Sequence, residues 1–335
     1  MAPLSGLQIQ KLLPKTNCKE CGSNTCLAFA MKLAAKKAEL SACPYVSEEA
    51  KAELGAAAEP PIRTVKLGAP NGITVGGETV MFRHEKTFVN AMGLGISVDD
   101  TLTDDEIERR VKAIAEYRLE RVGEELRPNV VSVARKNGSS ARFLAVIQRV
   151  AELWDQVVVV RSAEVSDLRA AAEALRGRRP LLASATPDTV KELGEIAKAN
   201  EAALAVASDE FDELAEMVET LRSIDFKDIL LELSADTLCE HVQNNTIIRR
   251  GALKSGIKDL GYPMLRYIDT GNALDDAVEA GIEIVKYGGV AILPTFDPST
   301  FVSLLALRQN IYTDPQKPIQ VEPCLRGCLS RSVKA

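Results

Sequence analysis

No run of eighteen apolar residues occurs anywhere in the 335-residue chain, so nothing in it predicts a helical membrane span. Surplus positive charge is also missing: 41 Lys and Arg stand against 47 Asp and Glu, for a net charge of −6. That excludes nucleic acid as the main partner, because a phosphate-binding surface needs excess cation. The opening residues, MAPLSGLQIQKLLPKTNC, lack the basic-then-apolar layout of a secretory signal, which predicts a cytoplasmic protein. Histidine is scarce, with only His84 and His241, and no histidine-based ligand set is visible. Both are expected to be structural or solvent-exposed.

Apolar residues make up 46% of the chain, enough to bury a full core, and the length suits a small domain beside a large α/β one. Seven cysteines are present, and their placement matters more than their number. Cys18, Cys21, Cys26 and Cys43 bunch near the N-terminus, Cys239 is isolated, and Cys324 and Cys328 lie in the last dozen residues. A secreted disulfide scaffold would be short and cysteine-dense throughout. Four cysteines in one segment of a cytosolic chain read as a metal site.

The pattern is C-x2-C-x4-C-x16-C-P. Three thiolates within nine residues can wrap one face of a compact cluster, and the fourth returns after a helix. Gly22 frees the backbone to approach sulfur, and Leu27, Phe29, Met31 and Leu33 can exclude water. This predicts a 4Fe-4S cluster held by four thiolates. Structural zinc prefers paired C-x2-C knuckles, and the second half here has a single cysteine. A 2Fe-2S centre also takes four cysteines, and four unligated core cysteines would be the bland alternative, but these seldom cluster in a loop with Gly and Asn. Cys324 and Cys328 are too few for a closed metal site.

Along the chain, residues 4–13 predict a short helix stopped at Pro14, TCLAFAMKLAAKKAEL a second helix with a basic face at Lys32, Lys36 and Lys37, and SEEAKAELGAAA a third capped by Ser47. The basic face could dock an acidic electron donor; its plain reading is a solvated surface. Glu59-Pro60-Pro61 marks a linker. Hairpin material follows, with β-prone runs at 64–67, 73–75 and 78–82 and turns at Asn71-Gly72 and Gly76-Gly77.

Eight continuous apolar runs then alternate with helix-period segments: 93–98, 129–134, 156–160, 180–185, 203–208, 228–233, 264–269 and 289–294. Such runs fit strands buried on both faces. An open doubly wound sheet has the same alternation, but eight repeats is the closing number, so a TIM-like (β/α)8 barrel is expected. The fold class is therefore α/β, a barrel preceded by a small helical 4Fe-4S domain. The boundaries are 1–59 for the cluster domain, 60–82 for linker and hairpin, 83–320 for the barrel and 321–335 for an irregular tail.

A barrel's functional face is the C-terminal end of its strands, here carrying Asp99, Asp100, Arg161, Thr186, Ser208, Ser234, Asp269, Thr270 and Thr295. Two carboxylates there could serve a hydrolase, although Ser and Thr at such positions are often helix caps. The barrel is expected to act as scaffold and docking surface.

Three stretches, KTNCKECGSNTCLAFAMKLA…ACPYVS, FRHEKTF at 82–88 and RQNIYTDPQKPIQVEP at 308–323, resemble the large (gamma) subunit family of the corrinoid iron–sulfur protein, part of the acetyl-CoA decarbonylase/synthase system. The likeness covers nearly the whole chain. It implies that Cys18, Cys21, Cys26 and Cys43 are the cluster's metal ligands. It also implies a methyl carrier in one-carbon metabolism, a methyltransferase component that needs partner subunits. A corrinoid (cobamide) cobalt takes the methyl group from a methyl-tetrahydropterin and delivers it to acetyl-CoA synthase, and the cluster re-reduces the cobalt. The implied partners are the small (delta) corrinoid protein subunit as heterodimer, a methyltransferase, acetyl-CoA synthase and an electron donor. The family's corrinoid-binding domain is expected after QVEP, and the twelve residues that follow do not contain it. Nor is there a D-x-H-x-x-G string, which elsewhere supplies a histidine to cobalt. The chain alone is therefore expected to lack the corrinoid and be inactive. Two alternatives stay open: a stand-alone iron–sulfur electron-transfer protein with a scaffold barrel, and a pterin-binding barrel enzyme with a structural cluster.

Overall fold

In the computed structural model, residues 5–34, 38, 40–47, 50, 54, 60–81, 90–235 and 237–312 are described. The chain divides into two compact units, the first running from the N-terminus to Pro61 and the larger beginning at Ile62.

The small unit starts with α1 (Gly6–Leu12), fixed by a capping box in which Gln8 N–H donates to Ser5 Oγ and Ser5 N–H to the Gln8 side chain. Helix α2 (Cys26–Ala34) follows, then a 3-10 turn at Leu40–Ala42. Ile9, Leu13, Phe29, Ala30, Val46, Ala50 and Leu54 form its core together with Cys26 and Cys43. Ala50 N–H donates to Ser47 Oγ at 3.2 Å, the cap expected for a further helix; most of that helix, with Lys36 and Lys37, lies outside the described residues.

The large unit is a closed barrel of eight parallel strands: β3 (Gly93–Asp99), β6 (Val130–Ala134), β7 (Val157–Arg161), β8 (Leu181–Ala185), β9 (Ala203–Ser208), β10 (Ile229–Leu233), β11 (Met264–Tyr267) and β12 (Gly288–Leu293). They pair in that order around the ring, and β12 closes on β3 with Val290 opposite Gly93. Each is followed by a helix: α3 (Asp104–Glu116), α4 (Ser140–Leu153), α5 (Val165–Ala174), α6 (Val190–Ala199), α7 (Phe211–Ser223), α8 (Leu238–Arg250), α9 (Ala273–Val285) and α10 (Pro298–Tyr312). The cap residues Thr103, Ser139, Thr237 and Asn272 each accept a backbone N–H of the first turn. A small hairpin, β4 (Leu119–Arg121) with β5 (Glu124–Leu126), is inserted after α3.

One core fills the lumen, with Val157, Val159, Leu181, Leu230, Val290 and Ile292 among its members. A second lies between strands and helices and includes Ile96, Val131, Ile147 and Trp154. The hairpin of β1 (Val65–Leu67) and β2 (Ile73–Val75) belongs to the lumen core: Val65, Leu67 and Val75 are buried against Val130, Val157 and Leu181, which open their strands. Each such burial contributes on the order of 1.5–3 kcal/mol. Gly68 N–H donates to Arg179 O at 2.9 Å and Arg63 N–H to Gly261 O at 2.8 Å, which ties the plug in place. With the N-terminal end stoppered, the C-terminal end is the barrel's open mouth. The expected strand at 78–82 does not form over residues 78–81, which are irregular; Asn90 Nδ2 bonds Gly76 O at 2.6 Å there in place of a third ladder. No helix of the described residues is long and apolar enough to cross a membrane.

Candidate functional site

The small unit places its cysteines in graded burial. Cys18 is exposed, Cys21 half-buried, and Cys26 and Cys43 are buried. Cys21, Cys26 and Cys43 belong to or pack on one apolar cluster with Phe29 and Leu13. Cys43 is set by the 3-10 turn, its N–H donating to Leu40 O at 3.1 Å. Tyr45 connects the two ends of the segment. Its hydroxyl donates to Glu20 at 2.9 Å, which holds the phenol above its ordinary pKa, and the charges of both Cys18 and Cys43 add to that effect.

The loop before α2 has an unusual backbone. Lys15, Asn17, Lys19 and Gly22 all have positive φ, between 51° and 71°. Left-handed residues alternating with ordinary ones turn successive N–H groups into a concavity, a nest that favours an anion. Asn17 is suited to such a position because its side chain can bond locally. Its N–H donates to Cys26 Sγ at 3.4 Å, and its Oδ1 accepts from Cys26 N–H at 2.7 Å. Cys26 opens α2, whose dipole also favours negative charge at its start. Ser23, between Cys21 and Cys26, is buried with its hydroxyl unpartnered. A buried O–H without an acceptor is uncommon and calls for a partner.

Among the described residues no group of three or more His, Cys, Asp or Glu side chains stands where it could hold a single metal ion. A sulfur-rich cluster anion nevertheless fits what is there. The segment carries four thiols, one backbone N–H already donates to sulfur, and the Ser23 hydroxyl is free to donate to another.

The barrel's mouth gathers a second polar set. Arg161, at the end of β7, has Nη2 3.2 Å from Glu232 Oε1 on β10, with its guanidinium 4.1 Å from the Tyr267 ring centre. Ser184 donates to the other Glu232 oxygen, and Ser132 Oγ lies 3.0 Å from the Tyr267 hydroxyl. Burial pushes that phenol well above its usual pKa. Of these residues only Arg161 was anticipated; the signals for the others were a glutamate inside the apolar run ILLEL and a tyrosine inside MLRYID.

The remaining strand-end residues are engaged locally. Asp99 accepts from Thr101 and pairs with Lys136 at 3.1 Å, which keeps its carboxyl below the usual range against the opposing effect of burial. Asp100 receives the N–H groups of Lys136, Asn137 and Gly138. Ser208 accepts Glu210 N–H and Thr270 donates to Asp276, so both secure helix starts. Thr186 N–H donates to Thr189 Oγ1 at 2.9 Å. Ser234, Asp269 and Thr295 follow β10, β11 and β12 as expected. No pair of free carboxylates meets at the mouth among the described residues. His241 is buried, its Nε2 bonded to Glu283 and to Asn245 at 3.0 Å. His84, Cys324 and Cys328 lie outside the described residues.

Residues 64–331 match the family described as "CO dehydrogenase/acetyl-CoA synthase delta subunit", and residues 13–45 match the one described as "Putative Fe-S cluster". The chain is 38% identical to the corrinoid/iron-sulfur protein large subunit of Moorella thermoacetica, over 96% of this chain and 72% of that one. It is 32% identical to the acetyl-CoA decarbonylase/synthase complex subunit gamma of Archaeoglobus fulgidus, over 96% and 73% respectively. Among solved structures, dihydropteroate synthase of Thermus thermophilus superposes with a TM-score of 0.52 at 14% identity, covering 75% of this chain and 100% of that one, a likeness of fold alone.

Proposed function

The chain belongs to the family of the corrinoid/iron–sulfur protein large subunit and the acetyl-CoA decarbonylase/synthase gamma subunit, and from that membership we propose that its small unit holds a 4Fe-4S cluster on Cys18, Cys21, Cys26 and Cys43. The observation that carries this reading is the loop itself, with its left-handed residues, the Asn17 N–H on Cys26 sulfur, its orphaned Ser23 hydroxyl and its four thiols. When bound, such a cluster supplies one electron at a time at low potential. The protein's own residues do the rest. Phe29, Leu13 and Val46 exclude water from the buried side of the site at Cys26 and Cys43. Asn17 N–H donates to the Cys26 sulfur, and N–H donors at sulfur stabilise the reduced, more negative state. Cys18, on the exposed side, marks the edge open to electron exchange.

The chain serves, on this reading, as the large-subunit portion of a methyl carrier that relays a methyl group from a methyl-tetrahydropterin to acetyl-CoA synthase. The described residues show no set that matches a corrinoid: the one described histidine, His241, is buried and bonded to Glu283. No step of the relay is therefore assigned to side chains of this chain. Methyltransferase activity would belong to the assembly with the small (delta) subunit, a methyltransferase and acetyl-CoA synthase.

The barrel carries a surface suited to that assembly. Helix α9 turns Asp276, Glu279 and Glu283 inward beside Ala280 and Ile284, each acid to a partner, Thr270, Arg266 and His241. Leu274, Val278 and Val285 stand exposed on its outer side, and Val302 of neighbouring α10 is exposed too. An exposed group of apolar side chains of this kind, bordered here by exposed Asp275 and Lys286, marks a protein interface. The matched barrel family is described by its delta subunit, which supports the small (delta) subunit as the occupant of this face.

Iron, sulfide, zinc and cobalt analysis of anaerobically purified protein, with EPR after dithionite, tests the proposal. Four irons per chain and a reduced-cluster signal, both lost in Cys26→Ala and Cys43→Ala, are expected. Zinc without iron would overturn it. Stoichiometric cobalt is expected in the complex with the small subunit.

A further inference from the structure

The lumen of the barrel is aliphatic at its closed end and polar at its open end. Val130, Val157, Leu181, Leu230 and Val290 fill the lower part. Further up, Ser132, Arg161, Ser184, Glu232 and Tyr267 come from five different strands and join across the lumen. Barrel interiors are ordinarily packed with branched aliphatic side chains. An ion pair in that place is weak as a source of stability, since aliphatic residues of like volume do as well or better. The polar layer therefore calls for a role other than holding the barrel shut, and the C-terminal mouth is where this fold binds ligands.

The charged hydrogen-bonding capacity left over in this layer lies with Arg161. Both Glu232 oxygens are taken, one by Arg161 and one by Ser184. The Tyr267 hydroxyl and Ser132 Oγ bond each other. Arg161 is different: a guanidinium carries five N–H donors, and only Nη2 meets a carboxylate. Its side chain remains 39% exposed, against 14% for Glu232. The Tyr267 ring beneath it and Glu232 at one edge fix the plane of the fork, so little rotamer freedom is left to lose on binding. A second cation stands on the adjacent strand's loop, where Lys136 Nζ touches Asp99 at 3.1 Å and is otherwise exposed. Spare N–H donors and positive charge, beside a carboxylate whose two oxygens are both engaged, select a ligand rich in acceptors.

We propose that the C-terminal mouth of the barrel binds a small oxyanion, a carboxylate or a phosphate group, on the fork of Arg161, with Glu232 and Tyr267 as positioning residues. The site is separate from the cysteine loop and does not depend on a cluster being bound there. Glu232 holds the guanidinium in place but also competes with the ligand for it. Removing its charge while keeping its shape therefore tightens binding, an effect that a purely structural pair would not produce.

Calorimetric titration of the full chain with inorganic phosphate and with succinate, at ionic strength held constant with chloride, tests this. Wild type is expected to bind at least one of the two saturably, and which one identifies the oxyanion. Arg161→Gln weakens binding by about tenfold or more, the loss of a charge-assisted pair of bonds. Glu232→Gln strengthens it. Should Arg161→Gln fail to fold, Glu232→Gln decides alone. No saturable binding of either probe by wild type, unchanged binding in Arg161→Gln, or unchanged or weaker binding in Glu232→Gln would each overturn the proposal.

Discussion

Asn17 and Cys26 bond each other twice, backbone to side chain in both directions: Asn17 N–H to Cys26 Sγ at 3.4 Å and Cys26 N–H to Asn17 Oδ1 at 2.7 Å. The pair joins the left-handed loop to the first turn of α2, so the sulfur and the loop that surrounds it are positioned together. The Asn17 carbonyl oxygen does for Cys26 N–H what a capping residue does for a helix start.

Replacing Asn17 separates its two contributions. Asn17→Ala loses the cap-like bond, about 0.5–2 kcal/mol, and must hold φ 51° without the local side-chain bonding that lets Asn tolerate it, about 1 kcal/mol more. Asn17→Gly loses the bond but takes the left-handed backbone freely. Iron release to a chelator, followed by absorbance, is expected to be fastest in the Ala variant, intermediate in the Gly variant and slowest in wild type. Equal rates in all three would show that the pair does not hold the loop.

Acid stability depends in part on Glu108. Bonds from Lys112 and Arg149 lower its pKa from an ordinary 4.5 to about 2. A carboxylate whose folded-state pKa is depressed contributes stability above its unfolded value, and that contribution fades as pH falls toward the folded one. The window is therefore pH 4.5 down to about 2. Glu108→Gln should lower the unfolding midpoint at pH 7 and flatten its pH dependence across that window. The effect should shrink at high salt, since the pair is partly exposed and screened.

Gly95 lies where β3 meets β6, and a Cβ there would sit 1.9 Å from Val130 O. The obstacle is backbone, so no side chain can rotate away. Gly95→Ala is expected to cost about 3 kcal/mol or more, at the upper end of overpacking effects, read as a lower urea midpoint. Gly281→Ala is the contrasting control, because its added methyl would meet only Leu307 Cδ2 at 3.6 Å, an ordinary contact.

The exposed apolar side chains of α9 are open to a direct test. Leu274 is 72% exposed and Val278 half exposed, so charging them leaves the folded chain intact. Leu274→Glu with Val278→Glu should leave the unfolding midpoint within a degree or two of wild type. Affinity for the small subunit should fall about tenfold or more, as loss of an apolar anchor does. Sedimentation of the mixed subunits reads this, and undiminished association would place the interface elsewhere.

The residues alone determined much of this protein. Eight apolar runs became eight barrel strands because a strand covered on both faces has no polar side to show. Thr103, Ser139 and Thr237 start helices by local hydrogen bonds that involve only their own first turns. The spacing of Cys18, Cys21, Cys26 and Cys43 pointed to a thiolate-held cluster in the same way, through local chain geometry. Tertiary structure decided whatever depends on a partner distant along the chain. Leu274, Val278 and Val285 recur at helical spacing yet stand exposed. Asp276, Glu279 and Glu283 turn inward beside Ala280 and Ile284, because Thr270, Arg266 and His241 await them there. Arg161 and Glu232 are 71 residues apart in sequence, and only closure of the barrel brings them to 3.2 Å across its lumen. Side-chain periodicity reports the local backbone, whereas the pairing of buried charges depends on which strands the closed ring sets face to face.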